Sequence, residues 1–115
     1  KIGETGQEVS IYKLDTLFSW LNTLDLLRLD VEGYELRILT GALELLKRTH
    51  PKLFIEMHVS LLPNFKDSQY NLLVFLGNLK YTITHCFIGS KDGPVGKPQE
   101  LLTADFGQSA HLFLE

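Results

Sequence analysis

One stretch of the sequence, residues 24–35, limits the possible folds more than any other. Its first half is almost continuously apolar, and its second half places three acids around Gly33 before a helical pattern begins. A nearly unbroken apolar run is typical of a strand covered on both faces of an α/β sheet. The stretch therefore predicts a strand over residues 24–30 that delivers carboxylates to the end of the sheet, with Gly33 allowing a tight turn.

The rest of the chain alternates between strand and helix patterns. Alternation predicts parallel strands joined by right-handed helical crossovers. No helical pattern separates the last two strands, so we expect them to form an antiparallel hairpin at the sheet edge. The expected fold is therefore α/β with mainly parallel strands and a C-terminal antiparallel hairpin. Strands are predicted at residues 8–14, 24–30, 53–59, 81–88 and 109–115, and helices at 15–22 (N-capped by Asp15), 33–48 (with a Glu44–Arg48 pair) and 68–79 (capped by Asp67 or Ser68).

Composition excludes several classes of protein. The 115 residues suit one domain, and 44% of them are apolar, which is enough for a core. The net charge of −3, with scattered basic residues, argues against a nucleic-acid partner. No apolar run approaches the roughly 20 residues of a membrane helix. Cys86 is the only cysteine, which excludes an internal disulfide and fits a cytoplasmic location.

Ionisable residues follow or lie in two neighbouring predicted strands. Asp30 ends one strand, and Glu56 and His58 lie two apart, hence on one face, at the end of the strand over residues 53–59. Ligands of open α/β sheets bind beyond the carboxyl ends of the strands. If the two strands are adjacent, these three side chains meet there. Such a cluster suits general-base catalysis, metal ligation or hydrogen bonding to a hydroxylated substrate.

Each acid also has a structural interpretation. Asp30 or Glu32 could cap the helix that follows, and Glu35 could simply favour that helix's N-terminus. Glu56 lies in an apolar strand, where an unpaired charge is costly, so it needs a partner or a wet cleft. His58 could be an exposed residue at a strand end. Both interpretations remain open at this point.

Other polar residues have weaker functional patterns. The glycine-rich loop at residues 89–96 lacks the strand-before, helix-after context of a phosphate-binding loop, so it predicts a hairpin connection. His85, Cys86 and His111 are interpreted as packing or surface residues. No familiar metal-binding spacing is present, so a metal site for hydrolysis ranks last and no residue is assigned as a metal ligand.

Four segments carry a family resemblance: Leu14-Asp15, Asp-Leu-Leu-Arg-Leu-Asp-Val-Glu-Gly-Tyr-Glu at residues 25–35, Leu39-Thr40-Gly41-Ala42, and Pro-Lys-Leu-Phe-Ile-Glu-Met-His at residues 51–58. Together they resemble the FkbM-type methyltransferases, over roughly residues 8–88. The resemblance implies a Rossmann-like class I methyltransferase sheet, with S-adenosylmethionine as the methyl donor. It implies O-methylation of a hydroxyl on a sugar or a secondary metabolite. The strands at residues 24–30 and 53–59 would be the fourth and fifth of a seven-stranded sheet.

The resemblance also implies roles for the candidate residues. Asp30, Glu56 and His58 would act in catalysis on a small-molecule hydroxyl acceptor, and Asp30, Glu32 and Gly33 would bind the cofactor. We expect residues 1–115 to be a single partial domain, the C-terminal half, because the family's glycine-rich donor-binding segment does not appear in them. The sheet edge left open could support a homo-oligomer. The alternative is a catalytically inactive half-domain that acts only through association with another chain.

Overall fold

The structure, a computed structural model, describes residues 13–115. It contains a five-stranded mixed sheet with helices packed on one face. The strand predicted at residues 8–14 lies almost entirely outside the described residues, and Leu14 itself begins a helix. The elements are α1 (Leu14–Leu17), β1 (Leu26–Leu29), α2 (Glu35–Thr40), α3 (Leu43–Thr49), β2 (Lys52–Met57), α4 (Gln69–Asn78), β3 (Ile83–Ile88), β4 (Lys91–Asp92) and β5 (Ala110–Leu114), with 3₁₀ turns at Leu62–Phe65 and Pro98–Glu100.

The sheet has the order β1-β2-β5-β3-β4. Among the described strands, only β1 and β2 pair in parallel, while β5 is antiparallel to both of its neighbours, β2 and β3, and β4 is antiparallel to β3. The prediction of mainly parallel strands is therefore wrong, and so is that of a terminal hairpin at the edge. Alternation correctly gives β1, β2 and β3 a common direction, but it does not fix which strands are neighbours. The last strand returns after a long connection and inserts between β2 and β3.

One face of the sheet forms the core. The two-residue period predicted for β2 is confirmed, because Leu53, Ile55 and Met57 are buried. They belong to one apolar cluster with residues of α2, α3, α4 and β5. Each fully buried leucine or isoleucine contributes about 1.5–3 kcal/mol relative to an exposed one. The core therefore fixes β2, and with it the residues that follow β2.

The opposite face is aromatic and partly exposed. Phe54 stacks on Phe113 with ring centroids 4.3 Å apart, and the guanidinium of Arg28 lies 5.1 Å from the Phe54 centroid. Leu26, at the start of β1, is 56% exposed. The prediction that β1 is covered on both faces is therefore wrong within the described residues. Its apolar sequence matches a covered strand, but only Leu29 of β1 is buried.

The helix predicted over residues 33–48 is two helices, interrupted at Gly41–Ala42. Asp15 explains the interruption, since its backbone N–H donates to the carbonyl of Gly41 at 2.9 Å. Its carboxylate accepts from the N–H groups of Glu44 and Leu45, at 3.0 and 2.8 Å. Asp15 therefore caps α3 rather than its own helix, which ends at Leu17 instead of residue 22.

Of two smaller predictions, the Glu44–Arg48 pair is wrong and the Ser68 cap is confirmed. Glu44 Oε2 lies 3.8 Å from Lys47 Nζ. The guanidinium of Arg48 instead donates to the carbonyls of Leu21 and Phe18. Ser68 is the N-cap of α4, and its hydroxyl accepts from a backbone N–H at 3.1 Å, as one of the two predicted caps. The glycine-rich loop begins as a tight hairpin between β3 and β4.

Candidate active site

The structure brings Asp30, Glu56 and His58 together at the carboxyl ends of β1 and β2. The parallel register, with Leu29 opposite Ile55, sets the two strand ends side by side. His58 Nε2 lies 3.6 Å from Asp30 Oδ1 and 3.5 Å from Glu56 Oε1. These three side chains are the acidic cluster of this site. Their proximity follows from strand direction and period, while their chemical roles stay a prediction.

Glu35, in the first turn of α2, contacts His58 of the acidic cluster. Its side chain is fully buried, at 0% exposure, and both oxygens face the loop after β2. Oε1 accepts from the backbone N–H of His58 at 3.0 Å, and Oε2 lies 3.4 Å from His58 Nδ1. Oε2 also accepts from the backbone N–H of Gly33 at 2.8 Å. Glu35 therefore does more than favour the helix N-terminus, because it also accepts hydrogen bonds from the backbone of Gly33 and His58. In the sequence, the only indication of this contact was that Glu35 follows Gly33 by two residues.

The turn between β1 and α2 has a left-handed backbone. Glu32 and Gly33 have φ angles of 53° and 100°. A Cβ atom at Gly33 would lie 2.6 Å from the carbonyl oxygen of Leu61, so only glycine fits there without a shift. The expectation of a tight turn at Gly33 is confirmed. The cofactor-binding role of Glu32 and Gly33 stays a prediction.

The capping interpretation of the acids is not supported. Tyr34 is the N-cap residue of α2, and its side chain makes no capping hydrogen bond. Asp30 instead has a half-exposed side chain directed at His58. Asp30 and Glu32 therefore remain available to a ligand.

His111 joins the site from β5. It lies opposite Glu56 in the antiparallel register, and its Nε2 is 3.7 Å from Glu56 Oε2. Sequence reasoning interpreted it as a packing or surface residue, because nothing in the sequence places β5 beside β2. His111 gives Glu56 the partner that a carboxylate in an apolar strand needs.

His85 and Cys86 lie away from the cluster, on β3. His85 is exposed, and its ring nitrogen is 3.2 Å from the Thr84 hydroxyl. Burial raises the pKa of the Cys86 thiol, which disfavours the thiolate. Both residues fit the structural interpretation made from the sequence.

The cluster has the chemistry of a base and of a cation site. His58 Nε2, Asp30 and Glu56 each offer one ligand atom, and the three atoms lie within 4.8 Å of one another. Separations of 3.5 and 3.6 Å suit ligands about 2.1 Å from a common divalent ion. The same carboxylates favour an organic cation, and the imidazole can accept a proton. Among residues 13–115, these three are therefore placed to hold a metal or a positively charged cofactor.

The family comparison decides among classes of protein. A model of the FkbM methyltransferase domain matches residues 2–93. The chain belongs to the FkbM methyltransferase family. The matched range contains Asp30, Glu35, Glu56 and His58 but ends before β5 and His111, and it indicates methyl transfer as the general activity of the family.

Two further comparisons and a membrane criterion complete these findings. No curated protein and no solved structure gave a significant match to this FkbM-family chain. Within residues 13–115, none of the helices has the length and apolar character needed to cross a bilayer. The inference of function therefore depends on the family match and on the geometry of the acidic cluster.

Proposed function

We propose that the protein transfers a methyl group from S-adenosylmethionine to a hydroxyl of a sugar or a secondary metabolite. The observation that carries the proposal is the meeting of Asp30, Glu56 and His58 at the carboxyl ends of two parallel strands, in a chain of a methyltransferase family. In this proposal β1 and β2 are the fourth and fifth strands of a Rossmann-like sheet. Cys86 as the single thiol suits a cytoplasmic location.

The charges of the site suit this cofactor. Bound S-adenosylmethionine supplies an electrophilic methyl group on a positively charged sulfur. The half-exposed carboxylate of Asp30 and the exposed side chain of Glu32 lie beside the turn at Gly33, where a cationic ligand would be favoured by charge. Asp30 and Glu32 would therefore hold the donor side, with Gly33 allowing the close turn between them and α2.

Proton removal from the acceptor is the step assigned to the acidic cluster. His58 Nε2 would accept the hydrogen bond of the acceptor hydroxyl and orient its oxygen toward the methyl carbon, and Glu56 beside it would line the acceptor side and stabilise the imidazolium. His58 Nε2 would take the hydroxyl proton as the acceptor oxygen gains the methyl group that S-adenosylmethionine would supply, with the neutral thioether as leaving group. Positioning supplies most of the rate, and a base adds about 10²–10⁴-fold.

Charge-removing substitutions test these roles. We expect Asp30→Asn, Glu56→Gln and His58→Gln each to lower methyl transfer from S-adenosylmethionine to hydroxylated acceptors by about 10²-fold or more. Glu100→Gln changes the same charge in an exposed 3₁₀ turn, and His85→Gln changes an exposed histidine of β3, so both controls should retain activity. Full turnover in a doubly substituted Asp30→Asn, Glu56→Gln protein would overturn the assignment.

The second candidate is a catalytically inactive half-domain that acts through another chain. Two observations favour it: the aromatic face of the sheet is partly exposed, and two open cavities of about 260 and 250 Å³ lie away from the acidic cluster. Calorimetric titration with S-adenosylhomocysteine separates the candidates. One-to-one binding supports the enzyme, and absence of binding supports the half-domain. Thermal stabilisation by Mg²⁺ or Mn²⁺ without nucleoside binding would instead favour a metal site.

A further inference from the structure

The side chain of Glu35 carries a carboxylate and is nevertheless fully buried. Removing a carboxylate from water is strongly unfavourable unless hydrogen bonds replace the lost solvent. Glu35 is 0% exposed, and its contacts within the described residues are two backbone N–H groups and one imidazole nitrogen, His58 Nδ1. The backbone N–H groups of Gly33 and His58 fix the carboxylate. The carboxylate in turn meets one specific atom of a side chain in the acidic cluster.

The two nitrogens of His58 face different environments. Nδ1 lies 3.4 Å from the buried Glu35 oxygen, whereas Nε2 lies 3.6 Å from the half-exposed Asp30 and 3.5 Å from the partly exposed Glu56. A neutral imidazole carries only one N–H, so only one side can receive it. Water can hydrate Asp30 and Glu56 but not Glu35. Leaving Glu35 without the imidazole N–H donor therefore costs more than leaving Asp30 and Glu56 without it.

We propose that Glu35 is a positioning residue that holds neutral His58 in the tautomer with its proton on Nδ1. The lone pair of Nε2 then faces the acceptor side, between Asp30 and Glu56. The backbone N–H of His58 bonds to the same carboxylate, so Glu35 fixes both the tautomer and the placement of the residue. This inference rests on the proposed function for the last step only, in which Nε2 takes the proton of the acceptor hydroxyl.

The tautomer can be measured without an activity assay. In ¹⁵N-labelled protein, the ¹⁵N shifts of Nδ1 and Nε2 are followed to alkaline pH until they stop changing, and the values reached there identify the protonated nitrogen of the neutral ring. The His58→Gln variant assigns the signals among the four histidines. We expect the proton on Nδ1 in the unsubstituted protein. A proton on Nε2 there would overturn the proposal.

Substitution of Glu35 gives a second, independent measurement. The amide introduced by Glu35→Gln can donate to Nδ1, so the His58 proton should move to Nε2, whereas Glu56→Gln should leave it on Nδ1. Glu35→Asp keeps a carboxylate and should restore part of the Nδ1–H population, which covers the case of a poorly folded Glu35→Gln variant. An unchanged tautomer in folded Glu35→Gln protein would refute the positioning role.

Activity distinguishes this inference from the proposed function. Loss of such an orienting carboxylate should lower kcat about 10–100-fold, with KM for the acceptor little changed. A proton on Nδ1 in a protein that transfers no methyl group would retain the tautomer assignment and refute the proposed function. An equal fall in kcat for Glu35→Gln and Glu35→Asp, with no change in tautomer, would mean a structural role only and would refute the inference.

Discussion

The carboxylate of Asp15 lies 2.8 Å from the backbone nitrogen of Leu45 and caps a helix that begins almost 30 residues later in the chain. The same residue binds the carbonyl of Gly41 through its own N–H. A Cβ atom at Gly41 would lie 3.3 Å from the Cβ of Lys13, so glycine eases this close approach. The Leu-Asp and Leu-x-Gly-Ala segments of the sequence are therefore one structural unit that joins α1 to α3.

Replacement of Asp15 should lower stability. Asp15→Ala removes the acceptor for two N–H groups of α3, and loss of such a cap costs about 0.5–2 kcal/mol. We expect the urea midpoint to fall with an unchanged slope. Asp92→Ala removes an exposed acid of β4 and is the matched control. Equal midpoints for the two variants would contradict the capping role.

Replacement of Gly33 should cost more than replacement of Gly89. Both have positive φ angles, 100° and 61°, but a Cβ at Gly33 meets the Leu61 backbone, whereas one at Gly89 has no heavy atom within 4 Å. Gly89→Ala should cost about 1–2 kcal/mol from backbone strain alone. Gly33→Ala should exceed it, since the backbone of Leu61 must also move. Chemical denaturation of both variants measures the difference, and equal losses would exclude the clash.

Self-association should depend on β1. In the described structure β1 is an outer strand with one unpaired edge, and its Leu26 is 56% exposed, which suits a homo-oligomer through this edge. Leu26→Lys should shift the protein toward monomer in sedimentation velocity runs. Val95→Lys is the matched control: it adds the same charge at a residue of similar exposure, 54%, in the loop after β4, and should leave association unchanged. A monomeric unsubstituted protein would refute the oligomer.

Alkaline stability should depend on Tyr81. Its hydroxyl donates to the Pro51 carbonyl at 2.7 Å, and burial raises its pKa. Above about pH 10, where an unfolded tyrosine ionises, the folded state holds more protons than the unfolded state. The free energy of unfolding therefore falls as pH rises through that region.

Two phenylalanine variants isolate this effect. Tyr81→Phe should lose about 1–2 kcal/mol at neutral pH, because the Pro51 carbonyl loses its donor. It should also show a smaller fall in stability above about pH 10 than the unsubstituted protein. Tyr70→Phe changes a tyrosine that is 54% exposed and should alter neither quantity. Urea unfolding over a series of alkaline pH values measures both.

Local patterns were sufficient for the strand that carries the site. The alternation in β2 set Leu53, Ile55 and Met57 inward, and therefore Glu56 and His58 on the other face, because successive side chains of a strand point to opposite faces. The common direction of β1 and β2 followed from the helices between them, and it brought Asp30 to the same end. Helix α4 and its Ser68 cap were predictable for the same reason, since caps and periods are local signals.

Contacts between distant segments decided the rest. The sequence does not encode locally that β5 inserts between β2 and β3, so the pairing of His111 with Glu56 was not predictable. Nor could an unbroken helical pattern reveal the interruption at Gly41, which depends on Asp15 approaching from outside the helix. Glu35 looked like an ordinary acid of a first helical turn. Only packing of α2 against the loop after β2 buried its carboxylate against His58.

The sequence by itself determined the family, the common direction of β1, β2 and β3, and the three ionisable residues at the ends of β1 and β2. These features depend on residue type and on short-range periodicity. Tertiary structure decided the strand order, the capping of α3 by Asp15 and the contact of Glu35 with both the backbone and the ring of His58. Those features depend on which distant groups meet, because a buried polar atom must find its partner wherever the fold places one.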